Sequence, residues 1–190
     1  MVRPILQVGD PQLHRPAEPV TDFEDAALQA LIEDLIETCL AANGVGLAAP
    51  QVGVSRQILI LASRPSLRYP SAPLMPPTAV LNPRILAQSA DLVWDWEGCL
   101  SVPNQRGLVP RRRWVTVSYW DQIGRPQVSH WQDFLARVFQ HEYDHLLGQV
   151  FLARHPERLL DEASYQREVL GQPLSPTAVP TGNGTPAIPD

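Results

Sequence analysis

Lysine is absent from the 190 residues: all fifteen basic side chains are arginine, set against twenty acids for a formal net charge of -5. Such a chain lacks the clustered positive charge that a phosphate backbone demands, so broad nucleic-acid binding is not expected. The one basic run, Arg111-Arg112-Arg113, is too short to change this and reads as a solvated strand edge or loop. Cysteine is scarce as well. Cys39 and Cys99 make no disulfide framework and point to a cytosolic protein, where a lone cysteine serves as core, ligand or nucleophile. No run approaches the ~18 apolar residues of a membrane span. The N-terminal MVRPILQVGDPQLHRP carries charge but no apolar export stretch. A cytoplasmic protein is expected, organellar only after loss of a transit peptide.

What is present is ordinary globular composition, 44% hydrophobic and 18% charged, at a length suited to one domain and a tail. Residues 22–42 carry the clearest helical pattern. Leu28, Leu31, Ile32, Leu35, Ile36, Cys39 and Leu40 recur at three- and four-residue spacing, with Glu33, Asp34 and Glu37 on the other side. Thr21 and Glu24 fit a capping box, Gly44 lies just past the end, and Cys39 reads as core. From 57 to 131 the pattern is β, with runs at 57–62, 78–82, 84–89 and 114–121, the last turning through Asp121–Gly124 into 127–131. The segment 64–77 holds five prolines and reads as an irregular surface loop.

Helices are expected at about 132–147 and 156–170, the latter with Pro156 as first helical residue. Residues 1–171 then form the folded domain. The remainder, 172–190, is rich in Pro, Thr and Gly and cannot bury enough surface to order itself. Strands and helices without regular alternation predict an α+β fold, with mixed or antiparallel sheets packed around a central helix. An N-terminal amphipathic helix and a C-terminal helix complete it.

That central helix carries QHEYDH. Positions four apart stack on one helical face, so His141 and His145 can grip one ion. Phe134 and Val138 lie seven and three residues before His141, which turns that face inward. Glu142 is rotated aside and suits a proton shuttle for water on the ion. The third ligand is open on spacing. Phe151 stands where one protease pattern would place a histidine and cannot ligate. Glu168, and less suitably Glu162, sits at the distance of a gluzincin-type glutamate, while Cys99 in WEGCLSVP lies upstream in a segment that reads as loop. A His₂Cys set leaves one position for water, whereas a purely structural metal needs a fourth protein ligand. His130 and His155 occupy no ligand-spaced motif and read as surface residues. In GVGLAAPQ (44–51), small residues let backbone approach a ligand closely, and Gln51 offers an amide donor.

GVGLAAPQ, EGCLS and QHEYDH, in that order, resemble the three signature motifs of the peptide deformylase family, and ILQVGDPQLHRPAEPV (5–20) resembles its N-terminal segment. The resemblance covers roughly 4–155. It implies a hydrolase that removes the formyl group from the N-terminal formyl-methionine of proteins emerging from the ribosome, with one divalent metal. Fe²⁺ is the expected native ion, and Zn²⁺, Ni²⁺ or Co²⁺ can occupy a purified sample. By resemblance Cys99, His141 and His145 are the ligands, Glu142 the general acid/base, and Gln51 with the Leu100 backbone N–H the oxyanion donors. Val45, Gly46 and Leu47 are implied to pair with substrate backbone, Arg106 to hold its end, and Glu97, Phe134 and Val138 to line its pocket. A monomer without membrane or nucleic-acid partners is expected. Leu147 stands where a polar residue is expected, and segment 64–77 is longer than usual. A gluzincin-like peptidase using Glu168, or a module with a structural metal, are the alternatives.

Overall fold

The computed structural model describes residues 1–66 and 69–171. The expected tail at 172–190 lies outside the described residues. The strand β2, Ile58–Leu61, explains the layering, because its four residues are apolar and fully buried. Successive strand side chains point to opposite faces, and here each face meets a core. Ile58 and Ile60 pack in one cluster with Leu35 and Cys39 of α1, Ala26–Ala41. Leu59 and Leu61 pack in the other with Val138 and Phe139 of α2, Asp133–Leu146. A strand covered on both sides needs no polar alternation, and each such side chain contributes about 1.5–3 kcal/mol on burial.

Five antiparallel strands form this sheet, in the order β1-β2-β3-β6-β7. β1 is Gly46–Ala48, β3 Thr78–Gln88, β6 Trp114–Trp120 and β7 Pro126–Gln132. A second antiparallel sheet, β4-β5-β8, is built from Leu92–Cys99, Val102–Arg112 and Arg158–Asp161. α2 touches strands of both sheets and is the central helix. The last helix, α3, is Glu162–Glu168. No helix among the described residues is long and apolar enough to cross a membrane.

Several boundaries differ from the sequence expectation. α1 begins at Ala26, because the Asp25 carboxylate caps the Ala27 N–H at 2.8 Å; Thr21 and Glu24 form no capping box there. It ends ahead of Asn43, which takes the left-handed φ of 53° in place of Gly44. Leu40, placed in the buried stripe, is 39% exposed. The runs at 78–82 and 84–89 are one strand with a register shift at Pro83. There the Asn82 side chain bonds both backbone groups of Val20, at 2.8 and 2.7 Å.

Pro156 starts no helix: residues 158–161 pair with β5, and Asp161 caps α3 through the Ser164 N–H at 2.7 Å. Strands β1, β4 and β5 were not expected. WEGCLSVP, read as loop, is the tip of the β4–β5 hairpin, with Cys99 paired to Val102 across Leu100-Ser101. These two strands escape a polarity pattern because two of their inward residues, Glu97 and Arg111, are charged and satisfy each other.

Candidate metal centre and catalytic cleft

His141 and His145 lie one turn apart on the buried side of α2, with ring centroids 5.2 Å apart. The hairpin tip brings Cys99 to them. Its Sγ is 3.3 Å from His145 Nε2, and one donor atom from each of the three residues lies within 4.8 Å of the others. One sulfur and two imidazole nitrogens suit a divalent transition metal. Two buried atoms have no partner among the described residues, Glu142 Oε2 and His145 Nδ1. A buried carboxylate oxygen is normally hydrogen-bonded, so its isolation beside three metal-capable donors fits a group that handles a proton. The alternative ligand is not there. Glu168 is exposed at the end of α3 and paired with Arg158 and Arg167, at 3.1 and 3.6 Å. Glu162 pairs with Arg106, and His130 and His155 are exposed as expected.

A buried ionic cluster orients the centre. Glu97 accepts from Arg111 at 2.8 and 2.9 Å and from Arg137 at 2.8 Å, and its Oε2 lies 2.9 Å from His141 Nδ1. That contact turns Nε2 of His141 toward the metal-capable group. Arg111 also bonds Asp144 at 2.6 Å, and Asp144 in turn pairs with Arg154. Arg111 is therefore no part of a solvated run; it is 3% exposed and bridges β5 to α2. Arg112 and Arg113 do face outward, onto the Ala90 carbonyl and Asp91. Glu97 lines the cleft and commits both oxygens to this cluster, so it also holds His141.

Charge follows from these contacts in the metal-free protein. Burial works to raise the Glu97 carboxyl, but the Arg111 guanidinium outweighs it and holds Glu97 well below the usual carboxylate range. No arginine bonds Glu142 among the described residues, and burial outweighs the more distant pull of His141 and Arg111 and pushes it up to about 7. Burial disfavours the charged form of His141, yet Cys99 and Glu97 beside it win and raise its pKa. Burial and the neighbouring His141 both lower that of His145. Cys39 is core, as expected, and burial pushes its thiol up to about 12.

The cleft over the centre, about 620 Å³ with its open mouth, is walled by Val45, Gly46, Gln51, Leu100, Phe134 and Val138 among others. The Ala48 N–H donates to Gln51 Oε1 at 2.8 Å. This fixes the side-chain amide with its NH₂ toward Cys99 Sγ, 3.6 Å away, and Ser101 Oγ, 3.1 Å away. Gly46 is required by contact: a Cβ there would sit 2.5 Å from Glu142 Oε1. Leu47, one residue on, is buried in the α1-side core and brings only its backbone to this edge. Tyr69, Trp96 and Arg137 also line the cleft. Sequence reasoning missed them, and the aromatic embedded in the proline-rich segment was the one signal available.

The polypeptide deformylase family profile matches residues 2–159. The chain belongs to the polypeptide deformylase family. Among deformylases it is 50% identical over 168 residues to peptide deformylase 2 of Nostoc sp., spanning 87% of this chain and 94% of that one. It is 44% identical over 179 residues to peptide deformylase 2 of Bordetella bronchiseptica, spanning 94% and 99%. The fold matches the Met-Ala-Ser-bound crystal structure of class I type b peptide deformylase from Acinetobacter baumannii, with TM-score 0.79 and 42% identity over 81% of this chain and 98% of that one. The actinonin-bound structure of the A. baumannii deformylase matches with TM-score 0.73 and 36% identity, over 81% and 98%.

Proposed function

We propose that this deformylase hydrolyses the formamide of N-formylmethionyl peptides, leaving formate and a free methionine amino group. The observation that carries the reading is the Cys99–His141–His145 triad, both histidines buried and the cysteine half-buried, with the unpartnered Glu142 oxygen beside it. Cys99, His141 and His145 would hold one divalent cation, for which Fe²⁺ is our assignment, and that ion supplies a Lewis acid toward water and the formyl oxygen. Glu142 takes the proton that the attacking water sheds and returns it to the departing nitrogen. The Gln51 NH₂ and the Leu100 N–H stabilise negative charge on the formyl oxygen, a contribution of about 3 kcal/mol per donor.

The peptide lies along β1, an edge strand of its sheet, and pairs with the backbone of Val45 and Gly46 as an added strand. Its first side chain enters between Phe134 and Val138. With Gly46 pressed against Glu142, the reacting end admits a formyl group and excludes larger acyl groups. Met-Ala-Ser, bound in a crystal structure of an A. baumannii relative, is a peptide of the class this reading requires as product. We place the enzyme in the cytoplasm as a monomer acting on peptides emerging from the ribosome.

Metal analysis and turnover of formyl-Met-Ala-Ser test the assignment. Glu142→Gln should retain metal and lose roughly 10²–10⁴-fold in kcat, while Cys99→Ser should lose the bound ion. Loss of metal in Glu168→Gln with retention in Cys99→Ser would overturn it.

A further inference from the structure

We propose that Tyr69 is the end wall of the cleft that takes the first side chain of the formylated peptide, and that Arg106 and Glu162 hold it there. The proposal rests on the deformylase reading above. Tyr69 belongs to the proline-rich segment 64–77, to which the reaction assigns no part. It is half-buried and lines the cleft. Its ring stands 5.1 Å from that of Phe134 at an interplanar angle of 57°. Phe134 lies seven residues before His141 on α2, two turns or roughly 10 Å along the helix. The Tyr69–Phe134 pair therefore closes the cleft at the end away from the reacting carbon, where the length of a bound side chain is judged.

The wall is fastened from behind. Arg106 Nη1 lies 3.1 Å from the Tyr69 hydroxyl, and the guanidinium carbon is 5.9 Å from the centre of its ring. Glu162 of α3 grips the same guanidinium through Nε at 2.8 Å and Nη2 at 3.3 Å. Tyr165 lies under it, 5.1 Å from the ring centre. Gly98 makes the room, since a Cβ there would fall 2.5 Å from Arg106 Nη1. Arg106 is 2% exposed. Arg106 also lines the cleft, and beside the expected hold on the substrate's end it takes a positioning role: it joins β5, α3 and the proline-rich segment, and it orients the aromatic that meets the substrate.

The test compares kcat/KM for formyl-Met-Ala-Ser and for formyl-2-aminooctanoyl-Ala-Ser, whose linear side chain is longer. Wild type should favour the first. Tyr69→Ala should narrow that preference roughly tenfold, chiefly by gain on the long substrate, because hydrophobic pockets discriminate chain length by about this factor. Tyr69→Phe keeps the ring but loses the Arg106 bond to the hydroxyl, and should move the ratio by about threefold, well short of Tyr69→Ala. Glu162→Gln should shift it the same way by about threefold through KM, with kcat held, as loss of positioning requires. Melting curves and metal content confirm that each variant is folded and loaded. A Tyr69→Ala ratio within about twofold of wild type, or equal losses on both peptides, overturns the wall. An unmoved ratio in Glu162→Gln overturns the positioning role. Wild type that cleaves neither peptide refutes the deformylase reading itself, which separates the two failures.

Discussion

Replacing Arg111 by methionine should destabilise this protein and loosen its metal at the same time. The guanidinium is 3% exposed and makes three short charge-assisted bonds, at 2.8 and 2.9 Å to Glu97 and 2.6 Å to Asp144. Removing one member of a buried ion pair costs about 3–5 kcal/mol, because its partner remains charged and dry. Here the lower figure applies. Glu97 keeps Arg137 and His141, Asp144 keeps Arg154, and methionine fills part of the vacated volume. A loss of about 3 kcal/mol lowers Tm by roughly 6–12 °C in a domain of this size. Glu97 also orients His141, so metal affinity should fall about 10- to 100-fold, as it does when a partner behind a ligating histidine is disturbed. Calorimetry of the metal-free protein gives the first number and chelator competition the second. Arg113→Met is the control: Arg113 is 54% exposed on an exposed Asp91, and its loss should cost under about 0.5 kcal/mol. An Arg111→Met protein that melts with wild type, or binds metal equally well, refutes the argument.

Iodoacetamide should label the native metal-free protein once, at Cys99, and bound metal should suppress that adduct; mass spectrometry reads both. Cys39 is fully buried and its thiol is pushed up to about 12, so it should react only in denaturant. Gly46→Ala places a methyl 2.5 Å from Glu142 Oε1, which should cost about 1–3 kcal/mol in a denaturant melt and depress kcat at full metal occupancy. Glu168→Gln removes only exposed pairs, so metal content and turnover should match wild type, with stability changed by less than about 0.5 kcal/mol.

The chemistry of the centre was legible because each signal is local. His141 and His145 share a helical face by spacing alone, and α2 carries them there, at Asp133–Leu146 against an expected 132–147. β2 and the β6–β7 hairpin were legible for the same reason, being apolar runs bounded by turn residues. Cys99 was recognised through its motif, but its setting was not. The strands that carry it place Glu97 and Arg111 inside, and a hydrophobicity pattern reads charged residues as exposed. Arg111 was misread as solvated for that reason, and the expectation that Glu97 lines the pocket carried no hint that its carboxylate also binds His141 and two arginines.

The sequence by itself determined which atoms are available for the reaction: two imidazoles on one helix, one thiol, one carboxylate beside them, and an amide in a run of small residues. Those follow from residue identity and helical period, which need no knowledge of the rest of the chain. Only the tertiary structure decided what each was for. It set Cys99 and not Glu168 against the histidines, buried Arg111 behind Glu97, and turned the Gln51 amide by a single backbone N–H. It also joined Tyr69, Arg106 and Glu162, residues 37 and 56 positions apart. The physical reason is common to all of these. Buried charge and amide orientation are tolerated only when distant partners satisfy them, and which partners meet is fixed by packing across two sheets and a helix.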